Sequence, residues 1–297
     1  MPNYKLSIDL LKPFSIVFFL SIFFPVVSQN ANQAGFYFKN DSFRPVKDTY
    51  VICSWNLKDF GKSKSTETLD FIATTVSNSD VVAIQEVVAG NGGVETVSKL
   101  AQILNNGKAH WDYVVSAPTS GNSYKKERYA FLWKTAHVQL IGKPWLEKKY
   151  SLAIDREPFF ADFSCSGNVY TLVNYHAITQ KMQPQTEIKY FKYIPAEYPE
   201  KSLLFLGDFN CAETHTVFNP LKSMGYVAVL INQKTTLKKN CIQKNCLASA
   251  FDNFFYKKEN IQVDSAWAFY FFKQFPSMKE AGEITDHLPI FLRFGFN

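Results

Sequence analysis

Short apolar runs recur along the chain and indicate β-strands. These runs are rich in Val, Ile, Phe and Tyr, which suit a pleated surface that is at least half buried. The pair 159–164 and 168–175 is separated by Cys165-Ser166-Gly167. Because a glycine in so short a connection supplies the positive φ of a tight turn, this pair predicts an antiparallel β-hairpin. The strands predicted in this way are 50–57, 80–88, 128–135, 159–164, 168–175, 202–208, 252–256 and 287–294.

Two further segments have helical spacing and follow the first two strands. Each has one apolar stripe with polar residues opposite, which is typical of a helix packed on a sheet. We therefore expect one domain of the α+β class (an α/β sandwich), in which two mainly antiparallel sheets pack face to face with helices outside. The residues of the first stripe are Leu69, Ile72, Ala73 and Val76, and those of the second are Val94, Val97, Leu100, Ala101 and Leu104.

The beginning of the chain has the pattern of a targeting segment. Two lysines precede an apolar run from Phe14 to Val27, and Ser28 is a small residue suited to a cleavage site. This predicts a signal peptide over 1–28 and a single domain over 29–297 in a secreted or periplasmic protein. An uncleaved anchor is the alternative, although a membrane span needs about 20 apolar residues. After cleavage we expect a monomer without stable membrane association.

Composition narrows the class of protein without choosing a function. The chain is 46% hydrophobic and 20% charged, with 13 Gly and 13 Pro among 297 residues, which excludes collagen-like and low-complexity chains. The formal net charge is +6, a mild excess that permits a polyanionic partner but does not demand one.

The five cysteines indicate a disulfide rather than a metal site. Export would permit disulfides, and one bridge is expected among Cys211, Cys241 and Cys246, with the pairing open. Cys53 lies in an apolar run and is predicted to be a buried strand residue. A thiolate metal site is disfavoured, since no Cys-x-x-Cys spacing occurs.

Polar residues that suit phosphodiester chemistry stand at the ends of the predicted strands. Taken singly each has an ordinary explanation: a solvated strand end, a turn, or a hydrogen-bonded structural histidine. Taken together they supply what metal-assisted attack on a phosphodiester requires, namely a cation site, a base for water and donors for the developing charge. These residues are Asn56, Glu86, His176, Asp208, Asn210, Asp286 and His287.

The order of these motifs resembles the endonuclease/exonuclease/phosphatase superfamily over about residues 50 to 294. The motifs are short, but six occur in the order of that family. They are Asn56, Gln85-Glu86, Asn174-Tyr175-His176, Gly207-Asp208-Phe209-Asn210, Asp252-Asn253 and Thr285-Asp286-His287-Leu288-Pro289.

Three more segments resemble the deoxyribonuclease I branch of that superfamily, whose fold is a four-layer sandwich. They are the run from Asn122 to Tyr129, the segment Asp155-Arg156-Glu157-Pro158, and Thr235-Thr236 followed by Asn240-Cys241. The chain departs from the branch by one extra lysine beside Tyr124 and by a longer loop over 236–251. These departures affect the expected DNA contacts more than the catalytic centre.

The resemblance implies a metal site and two acid–imidazole pairs. Glu86, helped by Asn56 and Asp286, would bind Mg²⁺ or Mn²⁺, and a structural Ca²⁺ is left open. Glu127 would orient His176, and Asp252 would orient His287, since a carboxylate on one ring nitrogen fixes the tautomer and stabilises the imidazolium.

The same resemblance assigns the steps of the reaction. His287 would take the proton of the attacking water and His176 would donate to the leaving oxygen, although the two roles could be exchanged. Asp208 and Asn210 would hold the scissile phosphate or the attacking water.

Four residues are expected to contact the substrate. Arg156 would grip a phosphate through its planar fork, with a surface ion pair to Asp155 or Glu157 as the alternative. Tyr124 would lie in the minor groove, with an ordinary loop tyrosine as the alternative. Asn122 and Thr236 complete the predicted DNA-binding set.

The sequence thus predicts a secreted, divalent-metal-dependent endonuclease that hydrolyses DNA with little sequence specificity. One alternative keeps the chemistry on lipid phosphodiesters of the sphingomyelin or phosphoinositide type, because one fold hosts many substrates. Another alternative is a non-catalytic binding module.

Overall fold

The computed structural model describes residues 49–90, 92–121 and 126–297. The predicted signal peptide over 1–28 lies outside these residues, and so do Asn122 and Tyr124. In the part of the chain that is described, no helix has both the length and the apolar character needed to cross a membrane.

The described chain folds into fourteen strands and six α-helices. The strands are β1 (Tyr50–Phe60), β2 (Val81–Val88), β3 (Trp111–Val115), β4 (Glu127–Lys134), β5 (Gln139–Leu146), β6 (Phe159–Cys165), β7 (Asn168–His176), β8 (Leu203–Asp208), β9 (Tyr226–Ala228), β10 (Leu237–Ile242), β11 (Asn245–Leu247), β12 (Asp252–Lys257), β13 (Ile261–Ala268) and β14 (Ile290–Phe296). The α-helices are α1 (Thr66–Val76), α2 (Gly93–Asn105), α3 (Gln185–Ile188), α4 (Ile194–Glu197), α5 (Asn219–Ser223) and α6 (Met278–Ile284).

Two mixed six-stranded sheets form the centre of the sandwich. The first has the order β13-β14-β1-β2-β4-β3, and the second has the order β5-β6-β7-β8-β12-β9. Each sheet contains one parallel pair, β1 with β2 and β7 with β8, and its other pairs are antiparallel. Strands β10 and β11 form a separate ribbon. The predicted α+β sandwich of two mainly antiparallel sheets is confirmed.

Aromatic side chains fill the space between the two sheets. Phe131 of β4 packs on Phe159 and Phe163 of β6, with ring centroids 5.5 Å apart in both pairs. A second apolar cluster lies on the outer side of the second sheet, where Phe191 contacts Phe205 of β8 at 5.4 Å. Burial of such large apolar surfaces is the main force that holds the layers together.

The first helical stripe is confirmed, and the second needs one correction. The buried residues of α1 are the four predicted ones. In α2, Val94 is 39% exposed, whereas Gly93 is buried. A Cβ at Gly93 would lie 2.1 Å from the carbonyl oxygen of Val88, so the helix packs here through a glycine and turns the next residue away from the sheet.

The predicted hairpin and disulfide are both present. Strands β6 and β7 pair antiparallel, and the turn between them has positive φ at Ser166 and Gly167. Cys241 and Cys246 form a disulfide that joins β10 to β11, while Cys53 is a buried residue of β1 as predicted.

Candidate active site

The parallel pairs of the two sheets bring the predicted motifs to one cleft. In a parallel pair the carboxyl ends of both strands lie at the same edge. Asn56 of β1 is in register with Gln85 of β2, and His176 of β7 is in register with Asp208 of β8. A hydrogen bond of 2.6 Å from Gln85 Nε2 to Asn174 Oδ1 joins the sheets beneath the cleft. The cleft has a volume of about 1040 Å³.

Asn56 connects two carboxylates at the bottom of the cleft. Its side-chain Nδ2 donates to Glu86 Oε1 at 3.0 Å and to Asp208 Oδ2 at 3.1 Å. Glu86 has a φ of 61° at the point where the register between β1 and β2 shifts, and this irregularity aims its carboxylate into the cleft. The side chain of Glu86 is 25% exposed, so a ligand can reach it.

Oxygen atoms suited to a hard cation therefore meet at this point. Asn56 Oδ1 is buried and has no hydrogen-bond partner among the described residues, which leaves an oxygen ligand available beside the Glu86 carboxylate. Carboxylate and amide oxygens are the ligands that Mg²⁺ prefers. Asp286 lines the same cleft, but its half-exposed side chain faces Lys58 Nζ at 3.7 Å. The donor set fits a divalent ion.

Ligand atoms of Asp208, Asp252 and His287 also lie within 4.8 Å of one another. However, His287 Nδ1 already bonds the Asp252 carboxylate at 2.9 Å. A cation at that nitrogen would have to displace this hydrogen bond, so the cluster fits a cation less well than Glu86 and Asn56 do.

The first acid–imidazole pair is present and buried. Glu127 Oε1 lies 2.8 Å from His176 Nδ1, and Glu127 Oε2 accepts from Arg156 Nη1 at 3.1 Å. Arg156 also donates through Nε to the carbonyl of His176 at 3.0 Å and through Nη2 to the carbonyl of Ala177. The Arg156 guanidinium thus holds two groups in place, the Glu127 carboxylate and the backbone of His176. Glu127 in turn orients the His176 ring.

This arrangement corrects one alternative for Arg156. The residue is 8% exposed and pairs with Glu127, so the surface ion pair with Asp155 or Glu157 is wrong. Arg156 does line the cleft, and phosphate binding by its remaining N–H groups stays a prediction.

Thr235, for which the sequence predicted no catalytic role, holds the second acid–imidazole pair in place. Asp252 Oδ2 lies 2.9 Å from His287 Nδ1 and accepts from Thr235 Oγ1 at 2.6 Å. The same hydroxyl accepts from the Asp252 backbone N–H at 3.0 Å. The neighbouring Thr236, which was predicted to bind DNA, lines the cleft and accepts from the backbone N–H of Ser249 at 2.8 Å. The Thr-Thr motif predicted a site residue at Thr236. In the structure it is Thr235, the first threonine of the motif, that bonds Asp252.

Both imidazoles face the same carboxylate. The Nε2 atoms of His176 and His287 lie 3.4 Å and 3.6 Å from Asp208 Oδ2. The other oxygen, Oδ1, accepts from the backbone N–H of Asn210 at 2.8 Å, while the Asn210 side chain donates to the carbonyl of Ala177 at 3.0 Å. Asp208 is therefore the point at which the two pairs converge.

The electrostatics of the two rings are opposite. Burial and the charge of Arg156 lower the pKa of His176 to about 4. Burial also opposes the charged form of His287, but the carboxylates of Asp252 and Asp208 outweigh it and raise the pKa of His287 to about 10. At neutral pH one ring is then neutral and the other protonated, as a base and an acid require. This pattern favours the exchanged order of roles, and the assignment of each ring stays a prediction.

Burial also sets the protonation of the acid beside His176. It raises the pKa of Glu127 to about 7, against the opposing charge of Arg156. The positive charge of Arg156 therefore limits the rise in the pKa of Glu127 that burial causes.

Sequence and structural comparisons agree with this geometry. No family model matches the chain. Human deoxyribonuclease gamma is 25% identical over 268 residues, which cover 80% of this chain and 84% of the relative. A deoxyribonuclease of Thioalkalivibrio is 22% identical over 271 residues, which cover 83% of this chain and 71% of the relative.

A solved structure adds evidence on the fold. An endonuclease/exonuclease/phosphatase family protein from Leptotrichia buccalis superposes with a TM-score of 0.62 at 15% identity, covering 83% of this chain and all of that one, 100%. The resemblance that the motifs indicated is confirmed, and so is the class of reaction, the hydrolysis of a phosphodiester bond.

Proposed function

We propose that this chain, a deoxyribonuclease I-like member of the endonuclease/exonuclease/phosphatase superfamily, is a divalent-metal-dependent endonuclease that cuts DNA with little sequence preference. The observation that carries the proposal is the convergence of two carboxylate–imidazole pairs on Asp208, next to the oxygen atoms of Glu86 and Asn56. The relatives named deoxyribonuclease support DNA as the substrate.

The metal would be held mainly by Glu86 and Asn56, with Asp286 available from the lining of the same cleft. A divalent ion bound there would stabilise the negative charge that develops on the phosphate during attack. The chain's own residues provide the remaining functions.

The two histidines would move protons to and from a phosphate bound in the cleft. One ring accepts the proton of the attacking water at Nε2, and the other donates a proton from Nε2 to the leaving oxygen. Glu127 and Asp252 hold the rings at Nδ1, so that each Nε2 faces the cleft. Asp208 lies between the rings and Asn210 lines the same cleft, where both can position the water or a phosphate oxygen.

Export is the second part of the proposal. The lysines and apolar run before Ser28 support a cleaved signal peptide, and we propose that the enzyme acts as a secreted or periplasmic protein. Mass spectrometry of protein recovered outside the cytoplasm should find a chain that begins near residue 29. Recovery of the uncleaved chain in membranes would contradict this part.

Cleavage of supercoiled plasmid tests the catalytic part. The purified protein should nick plasmid with Mg²⁺ or Mn²⁺ and stop when a chelator is added. Glu86→Gln should lower the rate by about 10²-fold or more, because an electrostatic contact at the reacting phosphate is lost. Glu200→Gln, which changes an exposed glutamate in a turn, is the matched control.

Two results would contradict the proposal. Equal nicking with and without chelator would show that no divalent ion is needed. No nicking by folded protein, together with hydrolysis of sphingomyelin or a phosphoinositide, would move the substrate to lipid phosphodiesters.

A further inference from the structure

A buried glutamate outside the catalytic motifs joins the two segments that carry the first acid–imidazole pair. Glu187 lies in the short helix α3 and is 3% exposed. Its Oε1 accepts from the backbone N–H of Asp155 at 2.6 Å. Its Oε2 accepts from the backbone N–H of Ile178 at 3.0 Å and from the hydroxyl of Tyr175 at 2.9 Å.

The two backbone N–H groups stand next to residues of the site. Asp155 directly precedes Arg156, and Ile178 directly follows Ala177, whose carbonyl accepts from both Arg156 and Asn210. Neither Asp155 nor Ile178 belongs to a strand, so no sheet ladder holds these N–H groups. Both N–H groups instead donate to the Glu187 carboxylate.

We propose that Glu187 is a positioning residue, which fixes the segments of Arg156 and His176 relative to each other so that the ring faces Asp208. The proposal rests on the proposed nuclease function, because its kinetic test needs a substrate. The contacts that carry it are independent of which substrate is cut.

The chemistry of the carboxylate explains why glutamate is required. Two oxygens accept three hydrogen bonds, and two of the donors are backbone N–H groups that cannot reverse their role. A glutamine has one oxygen and one NH₂ group. If its oxygen serves Ile178, the NH₂ group faces the N–H of Asp155, and if it serves Asp155, the NH₂ group faces the N–H of Ile178. Either orientation frees one of the two segments.

Glu187→Gln in the full chain is the test. We expect kcat on plasmid or oligonucleotide DNA to fall by about 10- to 100-fold, since a displacement of about 1 Å at a reacting group can cost 10²-fold. KM should change less than kcat, because every substrate-facing group is still present. Hydrogen exchange should accelerate at the amide of Asp155, of Ile178, or of both.

Two matched variants separate positioning from general damage. Glu200→Gln makes the same change at an exposed glutamate in a turn and should leave kcat and exchange unchanged. Tyr175→Phe removes the side-chain hydroxyl that donates to Glu187 and keeps both backbone N–H donors. It should therefore lower stability with a much smaller effect on kcat. Circular dichroism should report folded protein in all three variants.

Three outcomes would overturn the proposal. One is full kcat in folded Glu187→Gln, even with a lower melting temperature. Another is a rise in KM without a fall in kcat. The third is unchanged exchange at both amides. If the unaltered chain does not cut DNA, the nuclease proposal fails by itself, and the exchange measurement still decides whether Glu187 tethers the two segments.

Discussion

Glu127→Gln should lower both the stability of the chain and the rate of nicking. A second substitution at Arg156 should restore part of the stability and none of the rate. The carboxylate accepts from Arg156 Nη1 at 3.1 Å and lies 2.8 Å from His176 Nδ1. A glutamine amide can accept from one of these donors, but its NH₂ group then faces the other. The Arg156 guanidinium, 8% exposed, would remain charged and buried without its carboxylate.

The expected loss follows from this geometry. Breaking a buried ion pair by removing one partner costs about 3–5 kcal/mol, a large part of the roughly 5–15 kcal/mol that stabilises a domain. Arg156→Met should also destabilise the chain, because it removes the partner of Glu127 and the donor to the carbonyls of His176 and Ala177. When both charges are removed together, the loss should fall short of the sum of the single losses by at least about 2 kcal/mol.

Urea unfolding and plasmid nicking measure the two quantities separately. The free energy of unfolding comes from linear extrapolation for both single variants and for the double variant. Stability should recover in part in the double variant, but the nicking rate should stay as low as in Glu127→Gln, since His176 still lacks its carboxylate. Single losses that add to within about 0.5 kcal/mol would refute the coupling, and a recovered nicking rate would refute the orienting role of Glu127.

Two further substitutions test the supports of the site. Gly207→Ala should destabilise the chain by about 3 kcal/mol or more, because the backbone φ is +133° and the new Cβ would lie 1.9 Å from the carbonyl oxygen of Tyr175. An unchanged melting temperature would contradict this. Thr235→Val removes the donor to Asp252 Oδ2 and the acceptor of the Asp252 N–H, which should cost about 1–3 kcal/mol for each buried group left unpaired. It should also slow nicking through His287, and a variant as active as the parent protein would show that Asp252 needs no such support.

The central strands were predictable because they carry continuous apolar runs, and the edge strands were not. Strand β5 has no fully buried residue and contains Gly142 and Pro144, so it lacks the pattern of a buried strand. Strand β13 lies at the edge of the first sheet and has intermediate burial at most of its positions. Edge strands bury one face at most, and their composition resembles that of loops.

Motif order predicted which polar residues line the cleft, but it did not predict the residues that support them. The contact between Arg156 and Glu127 spans 29 positions of sequence, and nothing in either motif specifies it. Glu187 lies outside every motif, and its role depends on two backbone groups that only the fold brings together. A carboxylate that binds backbone N–H groups leaves no pattern in a single sequence.

The division of the site between two sheets makes catalysis a property of the completed fold. Asn56, Glu86 and Glu127 belong to or follow strands of the first sheet, whereas His176 and Asp208 end strands of the second. The first sheet is completed only by the last strand of the chain, because β14 lies between β13 and β1. The residues of the site are spread from Asn56 to His287, so a growing chain has no complete centre until nearly its whole length has been synthesised.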